Sequence, residues 1–233
     1  MNINEQIKSM LKEGGADLVG FADVSMLPGQ ATGGLPRAVS IVVALDPEIV
    51  RAISDGPTRQ YYAEYQRVND LLATLCERAA EFLTQAGYRV EAVQATTDKF
   101  DPVNLSTRTQ HKTIATRAGL GWIGKSALLI TKEYGPAVRF GSVLTDAQFE
   151  TAEPVDVSHC GDCHQCVDRC PAKAINGRNW RLGDPREAMY DAFTCRDMAK
   201  KLSGNQGIVS TICGICINAC PWTQKYLSCK SSL

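Results

Sequence analysis

Apolar residues in the first two thirds of the chain recur with two different periods. Ile3, Ile7 and Leu11 stand one helical turn apart and Gly14-Gly15 supplies a stop, so a short N-terminal helix is predicted, feeding the apolar run LVGFADV as a strand. After the turn-rich segment LPGQATGGLPR, the β-branched run Ala38 to Leu45 predicts a buried strand. From about Thr58 to Ala86, residues Tyr61, Tyr65, Val68, Leu72, Leu75, Ala79 and Phe82 recur every three or four positions up to Gly87, which predicts one long amphipathic helix. A strand RVEAVQA, a polar stretch TTDKFDPVNLSTRTQ and a helix around HKTIATRA follow. The runs ALLIT and VRFGSVLTD then predict two strands separated by a turn at Tyr134-Gly135-Pro136.

Beyond this point the periodicity stops. The polar segment FETAEPVDVSH reads as a linker, and nine of the ten cysteines lie from Cys160 onward. Two domains are therefore expected, residues 1–150 and residues 151–233, the second with its own chemistry. The chain has 233 residues, 44% hydrophobic and 21% charged, an ordinary globular composition. Lys+Arg and Asp+Glu each total 25, and this balance argues against nucleic acid or an anionic membrane as a partner. The N-terminus lacks the basic and apolar regions of a signal peptide, and no run of about 18 apolar residues occurs, so a cytoplasmic protein is expected.

The stretch Gly119-Leu120-Gly121-Trp122-Ile123-Gly124-Lys125-Ser126 satisfies two nucleotide-binding patterns, G-x-x-x-x-G-K-[ST] and G-x-G-x-x-G. Both need a strand before the glycines and a helix after them, because the helix N-terminus holds the phosphate. Here the predicted order is helix first and strand second, so neither context is met. A helix-to-strand turn whose glycines permit positive φ or close backbone approach is expected instead.

Cys160-x2-Cys163-x2-Cys166-x3-Cys170-Pro171 is the spacing of bacterial two-cluster iron–sulfur proteins, in which the fourth cysteine serves the other cluster. Pro171 is expected in the first turn of a helix. A second set, Cys213-x2-Cys216-x3-Cys220-Pro221, lacks one ligand, and Cys195 on a predicted helix is a better candidate than Cys229 in the polar tail. The crossed arrangement assigns Cys160, Cys163, Cys166 and Cys220 to one [4Fe-4S] cluster, and Cys170, Cys195, Cys213 and Cys216 to the other. Disulfides would need an export signal, and paired zinc sites would leave the Cys-Pro endings unexplained. Cys76 reads as a packed core residue, and His159 and His164 flank cluster ligands. Clusters carry single electrons and perform no bond chemistry on an organic substrate, so the preceding domain is expected to hold the electrons' destination.

The order AGLGWIGKSALLITKEYG, GSVLTD, the four-cysteine motif, a lone cysteine and C-x2-C-x3-CPW resembles the epoxyqueuosine reductases and the related reductive dehalogenases, from about Ala16 to Trp222. This resemblance implies an α+β protein with a nitroreductase-like α/β domain that binds cobalamin, followed by a ferredoxin-like two-cluster domain. Gly119, Leu120, Gly121, Trp122, Ile123, Gly124 and Lys125 would then lie against the corrin. It also implies an electron donor such as a ferredoxin or flavodoxin, with a small-molecule substrate or a corrinoid protein as the acceptor. In that family an acid precedes the glycine motif by about a dozen residues; Leu105 to Gln110 contain none, so a substrate other than epoxyqueuosine is expected. His111, Lys112, Asp98 and Asp101 are the candidate proton donors, with Lys125 in the glycine motif as a further one. The alternatives are an electron-transfer protein without substrate chemistry, and a flavin (FMN) in place of cobalamin.

Overall fold

The computed structural model describes residues 2–93 and 100–229. In chain order the elements are α1 (Ile3–Glu13), β1 (Leu18–Asp23), α2 (Gly29–Thr32), β2 (Arg37–Ala44), α3 (Pro47–Arg51), α4 (Arg59–Gln85), β3 (Val90–Val93), β4 (Phe100–Asp101), β5 (Ser106–Thr107) and α5 (His111–Arg117). They continue with β6 (Trp122–Ile123), β7 (Leu129–Ile130), β8 (Val138–Thr145), α6 (Gln165–Asp168), α7 (Arg186–Met189), α8 (Ala192–Asn205), α9 (Ile215–Asn218) and α10 (Pro221–Cys229). Among the described residues no helix is long and apolar enough to cross a membrane.

The chain forms two compact units, and neither is a continuous segment. Residues 1–43, 68–120 and 139–155 make the first, and residues 44–67, 121–138 and 156–233 make the second. The sequence reading places a single boundary after residue 150; by compactness, two earlier segments join the cysteine-rich part.

The first unit is built on a sheet of order β1-β2-β8-β3, with β1 antiparallel to β2 and β3 antiparallel to β8. All six central residues of β2 are buried, as its β-branched run requires. Helix α1 begins with a capping box, the Asn2 side chain accepting from the Glu5 N–H and the Glu5 carboxylate from the Asn2 N–H, and it buries Ile7 and Leu11. Ile114 and Ala118 in and after α5 pack on Ala22, Val24, Ala38 and Leu144.

Along α4 the buried stripe runs through Tyr61, Val68, Leu72, Leu75, Cys76, Ala79 and Leu83. Tyr65 and Phe82, expected inside, are only half-buried, and Glu64 and Leu83 hold the inward positions instead. Glu64 tolerates burial because its carboxylate accepts from both Arg67 nitrogens, at 2.7 and 2.8 Å, and from the Asp46 N–H at 3.0 Å.

Candidate iron–sulfur site

Helix α5 ends in a two-bond Schellman cap: the Leu120 N–H donates to the Ala115 carbonyl and the Gly119 N–H to the Thr116 carbonyl, with Gly119 at φ +67°. The chain then enters the β6-β7 hairpin, where Trp122 pairs with Ile130 and Ile123 with Leu129. Lys125, Ser126 and Ala127 form its three-residue tip. The Ala127 N–H donates to the Gly124 carbonyl at 2.9 Å and Ala127 sits at φ +57°, the usual build of such a loop. The glycine motif is therefore a helix cap followed by a hairpin, with no helix N-terminus to receive a phosphate, which agrees with the helix-before, strand-after reading.

The hairpin belongs to the cysteine-rich unit and is packed inside it. Trp122 is buried, meeting Trp222 and His159 edge-on at 5.2 and 5.1 Å between ring centroids. A Cβ on Gly124 would lie 2.6 Å from Ile130 and 3.4 Å from the Cys160 sulfur, so glycine is required for the tip to approach that thiol. Lys125 and Ser126 are buried as well.

Cys160, Cys163, Cys166 and Cys220 line one cavity of about 110 Å³, closed by Lys125, Ser126, Ile130, Pro221 and Trp222. Short turns supply the sulfurs. The Cys163 N–H donates to the Cys160 carbonyl, Cys166 lies in α6, and Cys220 immediately precedes α10, which starts at Pro221. Burial pushes the Cys166 thiol up to about 11, and the neighbouring Cys160, Cys220 and Cys163 add to the effect. Burial also raises Cys220 to about 11.

The other four cysteines lie near one another, beside the first set. Cys170 packs with Ala174 and Ile175, and Cys195, Cys216 and also Cys166 lie against this group. Burial raises the Cys195 thiol to about 11, helped by Cys170, Cys213 and Asp191, and it raises Cys213 and Cys216 as well. Cys195 lies in α8, whose N-cap Asp191 accepts from the Phe193 and Thr194 N–H groups. Pro171, expected to open a helix, lies in a turn instead: the Lys173 N–H donates to the Cys170 carbonyl and Lys173 adopts φ +49°. The residues after Pro171 carry no helical apolar period, whereas those after Pro221 place Thr223, Tyr226 and Leu227 on one buried face.

Among the described residues, no three His, Cys, Asp or Glu side chains converge as a single metal ion would require. Four thiols spread around a cavity with apolar walls suit a cubane, whose irons make each coordinating thiol give up its proton.

The remaining candidates fall in the first unit. His111 opens α5, its Nδ1 2.9 Å from the Ser142 hydroxyl and its ring edge-on to Phe140. Sequence reasoning missed Ser142, which lies 31 positions away on β8. Lys112 follows, half-buried. The Asp101 carboxylate accepts from the Asn104 side chain and from the Asn104 and Val103 N–H groups, which holds its pKa below the usual carboxylate value. It is thus ionised near neutral pH and has no proton to give. Asp98 lies outside the described residues. Of the glycine motif, Gly119 is exposed and Leu120 half-exposed, while Gly121 to Ser126 are buried.

Residues 159–223 match a 4Fe-4S double cluster binding domain, so the C-terminal part is an iron–sulfur module of the two-cluster type. The wider chain is similar to the epoxyqueuosine reductases. That of Lactococcus garvieae (strain Lg2) is 39% identical over 111 residues, 48% of this chain and 31% of the relative, so the match spans about a third of that protein's length. Two solved structures share the fold. One is a reductive dehalogenase described as acting by B12-dependent dehalogenation (TM-score 0.72, 18% identity, 98% of this chain and 34% of the other). The second is an epoxyqueuosine reductase bound to an epoxyqueuosine-modified tRNA-Tyr stem loop (TM-score 0.63, 19% identity, 95% and 65%). One protein of this fold thus binds a modified tRNA stem loop.

Proposed function

We propose that the protein is an iron–sulfur reductase in which two [4Fe-4S] clusters relay single electrons to a cobalamin that reduces a substrate. The observation that carries this reading is the single cavity lined by Cys160, Cys163, Cys166 and Cys220, which come from two separate sequence motifs. In this reading that set holds one cluster, and Cys170, Cys195, Cys213 and Cys216 hold the other. When bound, the clusters supply one-electron transfer and cobalamin supplies a metal centre able to break a carbon–heteroatom bond. Gly119 and Leu120 are the motif residues with surface to offer a corrin; Lys125 and Ser126 serve the thiol cavity. His111 is the preferred proton donor, with Ser142 holding its ring through Nδ1. The B12-dependent neighbour supports cobalamin, and the tRNA-bound neighbour makes a modified tRNA the first nucleic-acid substrate to try beside small molecules.

The test is cofactor analysis of protein made anaerobically with cobalamin present. The proposal expects about eight irons and one corrinoid per chain, with absorption near about 400 nm. Eight irons without a corrinoid would favour an electron-transfer protein, and bound FMN would replace the corrinoid reading. In the loaded enzyme, His111→Gln should lower turnover by about 10²-fold or more and abolish the alkaline limb of its pH profile, with iron content unchanged.

A further inference from the structure

Among the described residues Lys125 is the one charged side chain in the wall of the Cys160, Cys163, Cys166 and Cys220 cavity, and it is only 3% exposed. Among the described residues no carboxylate forms an ion pair with it. Lysine is almost never buried so fully without an anion beside it, because an ammonium loses hydration as it enters a protein interior. The hairpin tip fixes its position: Lys125 occupies the first place of a three-residue loop, one residue after the glycine pressed against Cys160. Four thiolates around a cubane would supply the missing negative charge. Near the second cysteine set the charged residue is acidic: Asp191, the N-cap of α8, stands one helical turn before Cys195.

We propose that Lys125 is the counter-charge of the cluster held by Cys160, Cys163, Cys166 and Cys220, and that it raises this cluster's reduction potential above that of its companion. The inference rests on the two-cluster reading. Reducing a cluster adds one negative charge to its site, and a fixed positive charge in a low-dielectric wall stabilises the reduced form more than the oxidised one. An electron taken from a one-electron donor of the ferredoxin or flavodoxin class, which is oxidised by one equivalent, then runs downhill from the Cys195-containing cluster to the Lys125-side cluster.

The experiment is an EPR-monitored redox titration of the anaerobically reconstituted full chain, with iron counted in each sample. In Lys125→Met the equilibrium constant for reducing the higher-potential cluster should fall at least about tenfold, about 59 mV for one electron, while the other cluster keeps its potential. Lys125→Arg should retain the wild-type pair of potentials. Asp191→Asn, which preserves the helix cap, should raise only the lower potential. Should Lys125→Met not hold the cluster, Lys125→Gln is read in its place with the same outcomes. Unchanged potentials at full iron content, or equal shifts of both clusters, would overturn the role of Lys125 alone. A wild-type chain that never reaches about eight irons would overturn the two-cluster reading and this inference with it.

Discussion

Around the four-stranded sheet, Ile41, Val42 and Leu72 are completely buried, and β2 shields an unbroken run of β-branched side chains. From Asp156 onward the buried set holds more small side chains: Cys170, Ala174, Ala192, Ala199 and Cys220 stand beside four isoleucines, Met189, Tyr226 and Leu227, and α6, α7 and α9 are four residues each. Large apolar side chains bury about 1.5–3 kcal/mol apiece, whereas small ones and thiols contribute much less. The contrast teaches that the sheet unit can hold itself together by ordinary packing, while the cysteine segment depends on what its thiols bind, as small metal-bearing folds do.

The largest expected effect follows from this. Oxidative removal of the iron should abolish hydrogen-exchange protection between about residues 160 and 220 and leave β1, β2 and β8 protected; equal loss in both units would break the contrast. Leu72→Ala, in the sheet unit, should cost about 2–5 kcal/mol in urea unfolding of the iron-loaded protein without changing its iron content. Gly124→Ala should cost about 1–3 kcal/mol, because the new methyl meets Ile130 and the Cys160 sulfur, and it should deplete the first cluster before the second.

The smallest effect concerns the two cysteines outside the sets. Cys76, pushed up to about 12 by burial, should resist alkylation in the native protein, while exposed Cys229 should react at once. Because the Cys76 pKa is raised on folding, its contribution to stability is complete below the ordinary thiol value and is lost as pH climbs through about 12. A Cys76→Ala variant should accordingly lose stability less steeply than wild type in alkaline denaturation.

Apolar patterning is enough to place α1, β1, β2, α4 and β8: α1 and α4 carry a helical period, and the strands are short apolar runs bounded by turn residues. Cysteine spacing assigns eight thiols to two sets, and the fold brings Cys160, Cys163, Cys166 and Cys220 to one cavity. Other features had no local signal. Trp122-Ile123 is a strand of two residues amid glycines, too short to show a period, so the hairpin was read as a loop. Lys125, expected against the corrin, is placed in the thiol cavity only by folding the hairpin against Cys160. Residues 44–67 and 121–138 carry no compositional mark of the unit they join. The His111–Ser142 pair depends on placing α5 beside β8, which only the tertiary fold specifies.

The central claim is that the eight motif cysteines hold two cubanes in crossed fashion. Iron and acid-labile sulfide counts on anaerobically reconstituted wild type, Cys195→Ala and Cys220→Ala test it most directly. The account predicts about eight irons for wild type and about four for each variant, each variant retaining a different EPR signal. Zinc in place of iron, or a Cys195→Ala protein that keeps all eight irons, would contradict it.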